Sequence, residues 1–158
     1  MAAPTLGLRH AVLWVTDPAA SARFYAEVLG LEPKTETADA VFMSSPASST
    51  DHDLGLFRAP PGRAQPGQVG LYHLSWEVPT LDDLAEIRTR LVELGAYVGE
   101  NNHGVSRSLY AHDPDGIEFE VMWEVPLAEL REDEPSNVPL DLEADKARFG
   151  PDRVSRGG

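Results

Sequence analysis

Two of the five histidines lie in apolar segments whose composition is typical of β-strands. His10 lies within residues 8–15, and His73 lies within residues 71–78. A single histidine in such a segment is most often a core side chain whose ring nitrogens are hydrogen-bonded. A matched pair of histidines points instead to a shared task, and imidazole is the commonest metal ligand among the side chains.

A third metal ligand is expected from residues 117–123, an apolar segment that contains two carboxylates. Alternate residues of a strand face the same side, so Glu118 and Glu120 share the face opposite the apolar residues. A carboxylate buried there without a partner would be unfavourable, and a bound metal ion removes that penalty. Two imidazoles and one carboxylate form the facial triad of non-haem Fe(II) sites, although the same donors also suit Mn(II) and Zn(II).

An internal duplication positions the two histidines at equivalent places. In each copy a strand is followed by a capping signal, an amphipathic helix and a glycine that ends the helix. The predicted helices cover residues 19–29 and 81–94, their capping signals are Asp17-Pro18 and Thr80 with Asp83, and their terminal glycines are Gly30 and Gly95.

Three short strands are predicted after each helix. They cover residues 32–36, 40–44 and 54–58 in the first copy, and residues 96–99, 106–111 and 117–123 in the second. The sequence therefore predicts an α+β fold of paired βαβββ modules, which form an open, curved, barrel-like metal cavity with flanking helices.

One domain is expected within residues 1–130, with modules at about residues 6–60 and 70–125. Residues 59–68 are rich in proline and glycine, which is typical of a linker. Residues 131–158 form an acidic C-terminal extension, in which residues 140–149 are predicted to be a short helix and residues 150–158 to be frayed.

Composition excludes several function classes. The absence of cysteine excludes disulfides, zinc–thiolate sites and cysteine nucleophiles, and the net charge of −13 disfavours nucleic acids and anionic membranes as partners. No signal peptide or membrane-spanning run is predicted, so a cytoplasmic protein is expected. A homodimer is expected because a single pair of modules leaves sheet edges exposed.

The paired modules, together with the turn Asp113-Pro114-Asp115-Gly116, resemble the vicinal oxygen chelate superfamily over about residues 6–125. This superfamily includes glyoxalase I, bleomycin-resistance proteins, fosfomycin-resistance enzymes and type I extradiol dioxygenases. The likeness implies the fold, and by itself it selects no single activity.

One segment is more discriminating, because residues 103–120 resemble the extradiol ring-cleavage motif. The motif has a histidine, an aliphatic residue followed by tyrosine, Asp-Pro-x-Gly, and then a ligand glutamate. His103, Tyr110 and Glu120 match it in that order, with Glu120 rather than Glu118 as the ligand. The asparagine that usually follows Asp-Pro-x-Gly is absent, because Ile117 stands there.

A second segment, beginning His52-Asp53-Leu54, is similar to the one that supplies the family's oxygen-side histidine. The resemblance implies a catechol 2,3-dioxygenase-like enzyme that opens a catechol-type ring with O2 and Fe(II), Mn(II) being possible, to give a semialdehyde. It implies His10, His73 and Glu120 as metal ligands. Tyr110 and His103 are expected to contact the substrate oxygen, and His52 to stabilise activated oxygen or move a proton.

Several of these residues could instead have no role in catalysis. His52 and His103 could be ordinary loop histidines, and Tyr110 could be a plain strand aromatic. His112 is expected to be a structural or surface residue, and Glu118 is expected either to support the site or to be solvated, and not to bind the metal.

Two other functions compete with ring cleavage. A glyoxalase-type isomerase or epimerase usually has two carboxylate ligands, but Leu56 is expected at the repeat position of Glu120, which disfavours such a site. A bleomycin-resistance-like binding protein would not need the three ligands. Many extradiol enzymes carry two module pairs, and this chain carries one, so a compact member is expected.

Overall fold

The computed structural model describes residues 8–62 and 71–156, and it divides the chain into two compact units. The first unit covers residues 1–68 and the second covers residues 69–158. The expected linker between the modules falls partly outside the described residues, since residues 63–68 are not described. Each unit contains one complete βαβββ module, as predicted.

The first unit consists of β1 (Ala11–Val15), α1 (Pro18–Leu29), β2 (Glu32–Glu36), β3 (Ala40–Ser44) and β4 (Leu54–Arg58). Its sheet has the order β1-β4-β3-β2, in which β1 and β4 are parallel and the other pairs are antiparallel. Helix α1 packs on β3 and β4.

The predicted signals define both ends of α1. The Asp17 side chain accepts hydrogen bonds from the backbone N–H groups of Ala19 and Ala20, and Pro18 occupies the first helical position. At the other end Gly30 adopts φ 67°, a left-handed conformation that glycine tolerates best. Tyr25 and Val28 are buried on the inner face, and each such burial contributes about 1.5–3 kcal/mol.

The second unit repeats this order with β5 (Leu74–Glu77), α2 (Leu81–Glu93), β6 (Tyr97–Asn102), β7 (Ser106–His112) and β8 (Glu118–Glu124). Its sheet has the order β5-β8-β7-β6, and its first and last strands are again parallel. A 3₁₀ turn (Leu127–Glu129) and helix α3 (Leu142–Phe149) follow. The protein is thus a mixed α+β fold with two four-stranded sheets and three helices, and its described strands do not close into a barrel.

The capping box predicted at the start of α2 is confirmed. Thr80 Oγ1 accepts from the N–H of Asp83, and Asp83 Oδ2 accepts from the N–H of Thr80 at 3.0 Å. The apolar face of the helix is buried, through Leu81, Leu84, Ile87 and Leu91. Among the described helices, none is long and apolar enough to cross a membrane.

Two sequence-based expectations about local structure were wrong. The first strand of each module begins later than predicted, so His10 and His73 each lie one residue before a strand and not within it. Residues 151–156 are not frayed, because the Trp123 indole donates to Arg153 O at 2.9 Å and Ser155 N donates to Pro79 O at 2.8 Å. These contacts could not be foreseen, since they join residues that are 30 or more positions apart.

Candidate metal centre

His73 lies between two carboxylates of the neighbouring strand. Its Nε2 is 3.5 Å from Glu120 Oε2, and its Nδ1 is 3.7 Å from Glu118 Oε1. The parallel register of β5 and β8, which pairs Leu74 with Phe119, brings His73 level with this part of β8. The two ring nitrogens therefore face different glutamates, which the sequence alone could not assign.

The environment of His73 fits a metal ligand. Its Nε2 faces Glu120, whereas its Nδ1 is buried without a hydrogen-bond partner in the described part of the chain and does not by itself indicate a metal. Glu120 is only 8% exposed, and a buried carboxylate is unfavourable unless it is paired or binds a cation. Within neither unit do three or more described His, Asp or Glu side chains form a metal-binding group. Two of the three predicted ligands, His73 and Glu120, thus lie side by side, and their binding of a metal stays a prediction.

His10 and His52 lie together in the first unit. Their ring centroids are 4.4 Å apart, and the His52 ring also contacts Phe42 edge to face at 5.0 Å. The pairing of β1 with β4 brings them together, because Ala11 N donates to Asp53 O at 2.9 Å. His10 is exposed among the described residues, so it is not a buried core histidine with hydrogen-bonded ring nitrogens.

The loop that carries His52 is held by Asp53. Burial alone would raise the pKa of this carboxyl, but hydrogen bonds from the loop outweigh burial and lower the pKa below its usual value. The donors are Thr50 Oγ1 at 2.6 Å, Ser48 Oγ at 2.7 Å, Ser45 N at 2.8 Å and Ser44 Oγ at 3.2 Å. Sequence reasoning missed this role, although a run of Ser and Thr before an Asp is a signal for such a loop.

Tyr110 connects Glu120 to His103. The antiparallel register of β7 and β8 pairs Tyr110 with Glu120, and the Tyr110 hydroxyl lies 3.4 Å from Glu120 Oε1. The same hydroxyl lies 2.7 Å from His103 Nε2. Burial first, and then the negative charge of Glu120, raise the pKa of Tyr110 to about 12. Tyr110 is therefore a hydrogen-bond donor, not a phenolate, at neutral pH.

Two further polar residues, His112 and Asn137, lie next to site residues. His112 is exposed, as predicted, with its Nε2 3.8 Å from Glu118 Oε2. Asn137 was not foreseen as a site residue, yet its Oδ1 lies 3.1 Å from His103 Nδ1. Asn137 lies in the C-terminal extension, and no local pattern in the sequence indicates this contact.

The register of the two sheets corrects the expected repeat position of Glu120. In the second unit, Glu120 pairs with Ser75, the second residue of β5. In the first unit, the second residue of β1 is Val12, and it pairs with Gly55. Gly55, not Leu56, is therefore the counterpart of Glu120. A Cβ atom at position 55 would lie 3.2 Å from side-chain atoms of Val12 and Phe57. The first module therefore supplies no carboxylate at this position.

A family model described as the Glyoxalase/Bleomycin resistance protein/Dioxygenase superfamily matches residues 7–121. The chain is 34% identical over 116 residues to biphenyl-2,3-diol 1,2-dioxygenase 3 of Rhodococcus globerulus, covering 69% of this chain and 58% of that protein. It is 28% identical over 137 residues to the catechol-2,3-dioxygenase of Bacillus subtilis (strain 168), covering 85% and 47%. The chain spans about half the length of these curated relatives.

Among solved structures, a glyoxylase/bleomycin resistance protein/dioxygenase domain from Frankia sp. EAN1pec is similar with a TM-score of 0.64 and 24% identity. The match covers 77% of this chain and 100% of that one. It supports the fold and does not bear on the reaction.

Proposed function

The chain belongs to the Glyoxalase/Bleomycin resistance protein/Dioxygenase superfamily, and from that premise we propose that it is an Fe(II)-dependent extradiol dioxygenase. Its substrate would be a catechol-type aromatic diol, opened with O2 in aromatic catabolism. The observation that carries the proposal is the connected series His73, Glu120, Tyr110 and His103 in the second unit. Both named relatives carry the name of a dioxygenase that acts on an aromatic diol.

The proposed metal ligands are His10, His73 and Glu120. Nε2 of His73 faces Glu120, so this nitrogen is the proposed metal ligand of the ring. Glu118 lies on the Nδ1 side at 3.7 Å, where a carboxylate that orients a metal-binding imidazole belongs. His10 is proposed as the third ligand. A metal ion held by these residues would lower the pKa of a diol hydroxyl and would provide binding positions for the diol and O2.

The other predicted residues would act on substrate and oxygen. Tyr110, whose pKa is raised to about 12, is protonated at neutral pH, and its hydroxyl can hydrogen-bond a diol oxygen. His103, 2.7 Å from that hydroxyl, would extend the hydrogen-bonded series away from the metal. His52 is proposed to face the oxygen side, in a loop that the Asp53 hydrogen bonds keep in one conformation.

The superfamily also contains isomerases of glyoxalase type, for which the register is unfavourable. Such enzymes use two carboxylate ligands, and the repeat position of Glu120 is occupied by Gly55, which has no side chain. An isomerase would also have no need of His52, His103 and Tyr110. No described residue of the first module replaces the missing carboxylate at this register position.

The decisive experiment is anaerobic reconstitution of the full chain with Fe(II), followed by addition of a diol and air. Catechol, methylcatechols and 2,3-dihydroxybiphenyl form the substrate panel. We expect oxygen uptake and the yellow absorbance of a ring-opened semialdehyde. Stoichiometric iron binding without oxygen uptake on the whole panel would contradict ring cleavage, and absence of Fe(II) and Mn(II) binding would favour a binding protein.

A further inference from the structure

The C-terminal extension contacts the candidate site directly. Residues 134–138, which we call the strap, lie beside the ends of β6 and β7. Val138 forms a two-way backbone pair with Asn102, at 3.0 and 3.2 Å. Ser136 Oγ donates to the carbonyl of His103 at 3.0 Å. The strap therefore contacts Asn102, the last residue of β6, and His103, which follows it.

The first residue of the strap is held by buried ion pairs. Arg107, only 1% exposed, donates from Nη2 to Glu134 Oε1 at 3.0 Å and from Nε to Asp145 Oδ2 at 2.8 Å. Arg148 donates two hydrogen bonds to the same Glu134 carboxylate, at 2.6 and 2.8 Å. Charge-assisted pairs of this kind are strong, and they fix the strap at Glu134 while Val138 fixes its other end.

Asn137, between these two anchors, directs its side chain at His103. It has φ 57°, a left-handed conformation that asparagine tolerates better than most residues. Its Oδ1 is 3.1 Å from His103 Nδ1 and 3.5 Å from Asn101 Nδ2. An amide oxygen only accepts hydrogen bonds, so both facing nitrogens must be donors.

We propose that Asn137 is a positioning residue that holds His103 as the Nδ1–H tautomer. With its proton on Nδ1, His103 has an acceptor lone pair on Nε2, and the Tyr110 hydroxyl at 2.7 Å donates to it. The opposite tautomer would donate from Nε2 to Tyr110 and direct the Tyr110 proton to Glu120 Oε1, 3.4 Å away. The strap thus selects the direction of hydrogen bonding toward the site.

The consequence for turnover rests on the proposed function. If the proposed function is correct, the Tyr110 hydroxyl on the diol side donates its hydrogen bond to the lone pair of His103 Nε2. The tautomer can be measured in the metal-free chain without substrate. The two claims can therefore fail independently, and the experiment separates them.

The test is long-range ¹H–¹⁵N correlation spectroscopy of the metal-free full chain, labelled with ¹⁵N-histidine, at a pH at which the His103 ring is neutral. His103→Gln assigns the signal. We expect wild-type His103 to have a protonated Nδ1 and an unprotonated Nε2. A protonated Nε2 in the wild-type protein would overturn the proposal whatever the variants do.

Three strap variants complete the test. Asn137→Gly removes the amide but accommodates the positive φ, and it should release His103 into a mixture of tautomers. Asn137→Asp keeps an acceptor oxygen and should restore the wild-type signal. Ser136→Ala alters the same strap without touching the imidazole and should also leave the signal unchanged. A wild-type tautomer in Asn137→Gly would overturn the proposal.

Steady-state kinetics with Fe(II) and a diol provide the second readout. Asn137→Gly should lower kcat about 10-fold, in line with residues that orient a site histidine, with recovery in Asn137→Asp. A shifted tautomer with unchanged kcat would remove the link to turnover. The expected tautomers in a protein without oxygen uptake would contradict the proposed function and leave the positioning role intact.

Discussion

Tyr110 lies directly opposite Glu120 in the β7–β8 ladder, with its hydroxyl 3.4 Å from Glu120 Oε1. The alternation of β8 fits this register, since Phe119, Val121 and Trp123 are buried on one of its faces. A shift of one residue would bury the opposite set. The burial pattern of the sheet therefore also fixes the contact between the two residues of the site.

Tyr110 should resist ionisation. Burial and the charge of Glu120 raise its pKa from 10.0 to about 12, so at pH 10 it should be almost entirely protonated, whereas an ordinary tyrosine is half ionised. The difference in phenolate absorbance between wild type and Tyr110→Phe measures this directly. A half-ionised Tyr110 at pH 10 would show that the hydroxyl is not buried beside Glu120. With Fe(II) and diol, Tyr110→Phe should retain metal and lower kcat about 100-fold or more.

Glu120 and Glu118 should differ in metal affinity. Glu120→Ala should abolish Fe(II) and Mn(II) binding, because it removes a proposed ligand. Glu118→Ala should weaken binding about 10–100-fold, because it removes only the carboxylate on the Nδ1 side of His73. Titration calorimetry under anaerobic conditions compares the two variants. The reverse order of effects would assign the ligand to Glu118.

His10 and His52, whose rings are 4.4 Å apart, should also have separable roles. His10→Ala should lose stoichiometric metal. His52→Ala should retain the metal and lower kcat about 10²–10⁴-fold, the usual range for a residue that transfers a proton. Metal content by elemental analysis, together with oxygen uptake, distinguishes them. Loss of metal only in His52→Ala would exchange the two assignments.

Glu134 should make the second unit sensitive to acid. Hydrogen bonds from Arg148, opposed by burial and helped by Arg107, lower its pKa from 4.5 to about 2. Because the folded-state pKa is depressed, the stabilisation is fully present above about pH 4.5 and is lost as the pH falls toward 2. This contribution is on the order of 2–3 kcal/mol.

Asp145, which pairs with Arg107, has a pKa that burial raises. Its contribution to the pH dependence of stability therefore has the opposite sign near its ordinary pKa of 3.8.

Glu134→Gln should lower the free energy of unfolding at neutral pH and flatten its fall in acid, because it removes the carboxylate with the depressed pKa. Urea unfolding at several pH values measures both effects. An unchanged acid dependence in Glu134→Gln would show that other carboxylates control it.

The sequence by itself determined the repeated βαβββ order, the helix caps and most strands. These features depend on residues that are neighbours along the chain. Asp17 and Gly30 delimit α1 locally, and the Thr80 capping box does the same for α2. The equivalence of His10 and His73 was likewise visible from their matching positions in the two copies of the duplication, although each lies one residue before a strand and not within it.

Only the tertiary structure decided which group each site residue meets. Strand register assigned Glu120 to Nε2 of His73 and Glu118 to Nδ1, and it placed Gly55 where Leu56 was expected. The path of the C-terminal extension brought Asn137 to His103, which lies 34 positions earlier. Such contacts depend on ladder pairing and on buried ion pairs between distant residues, and neither leaves a periodic pattern in the local sequence.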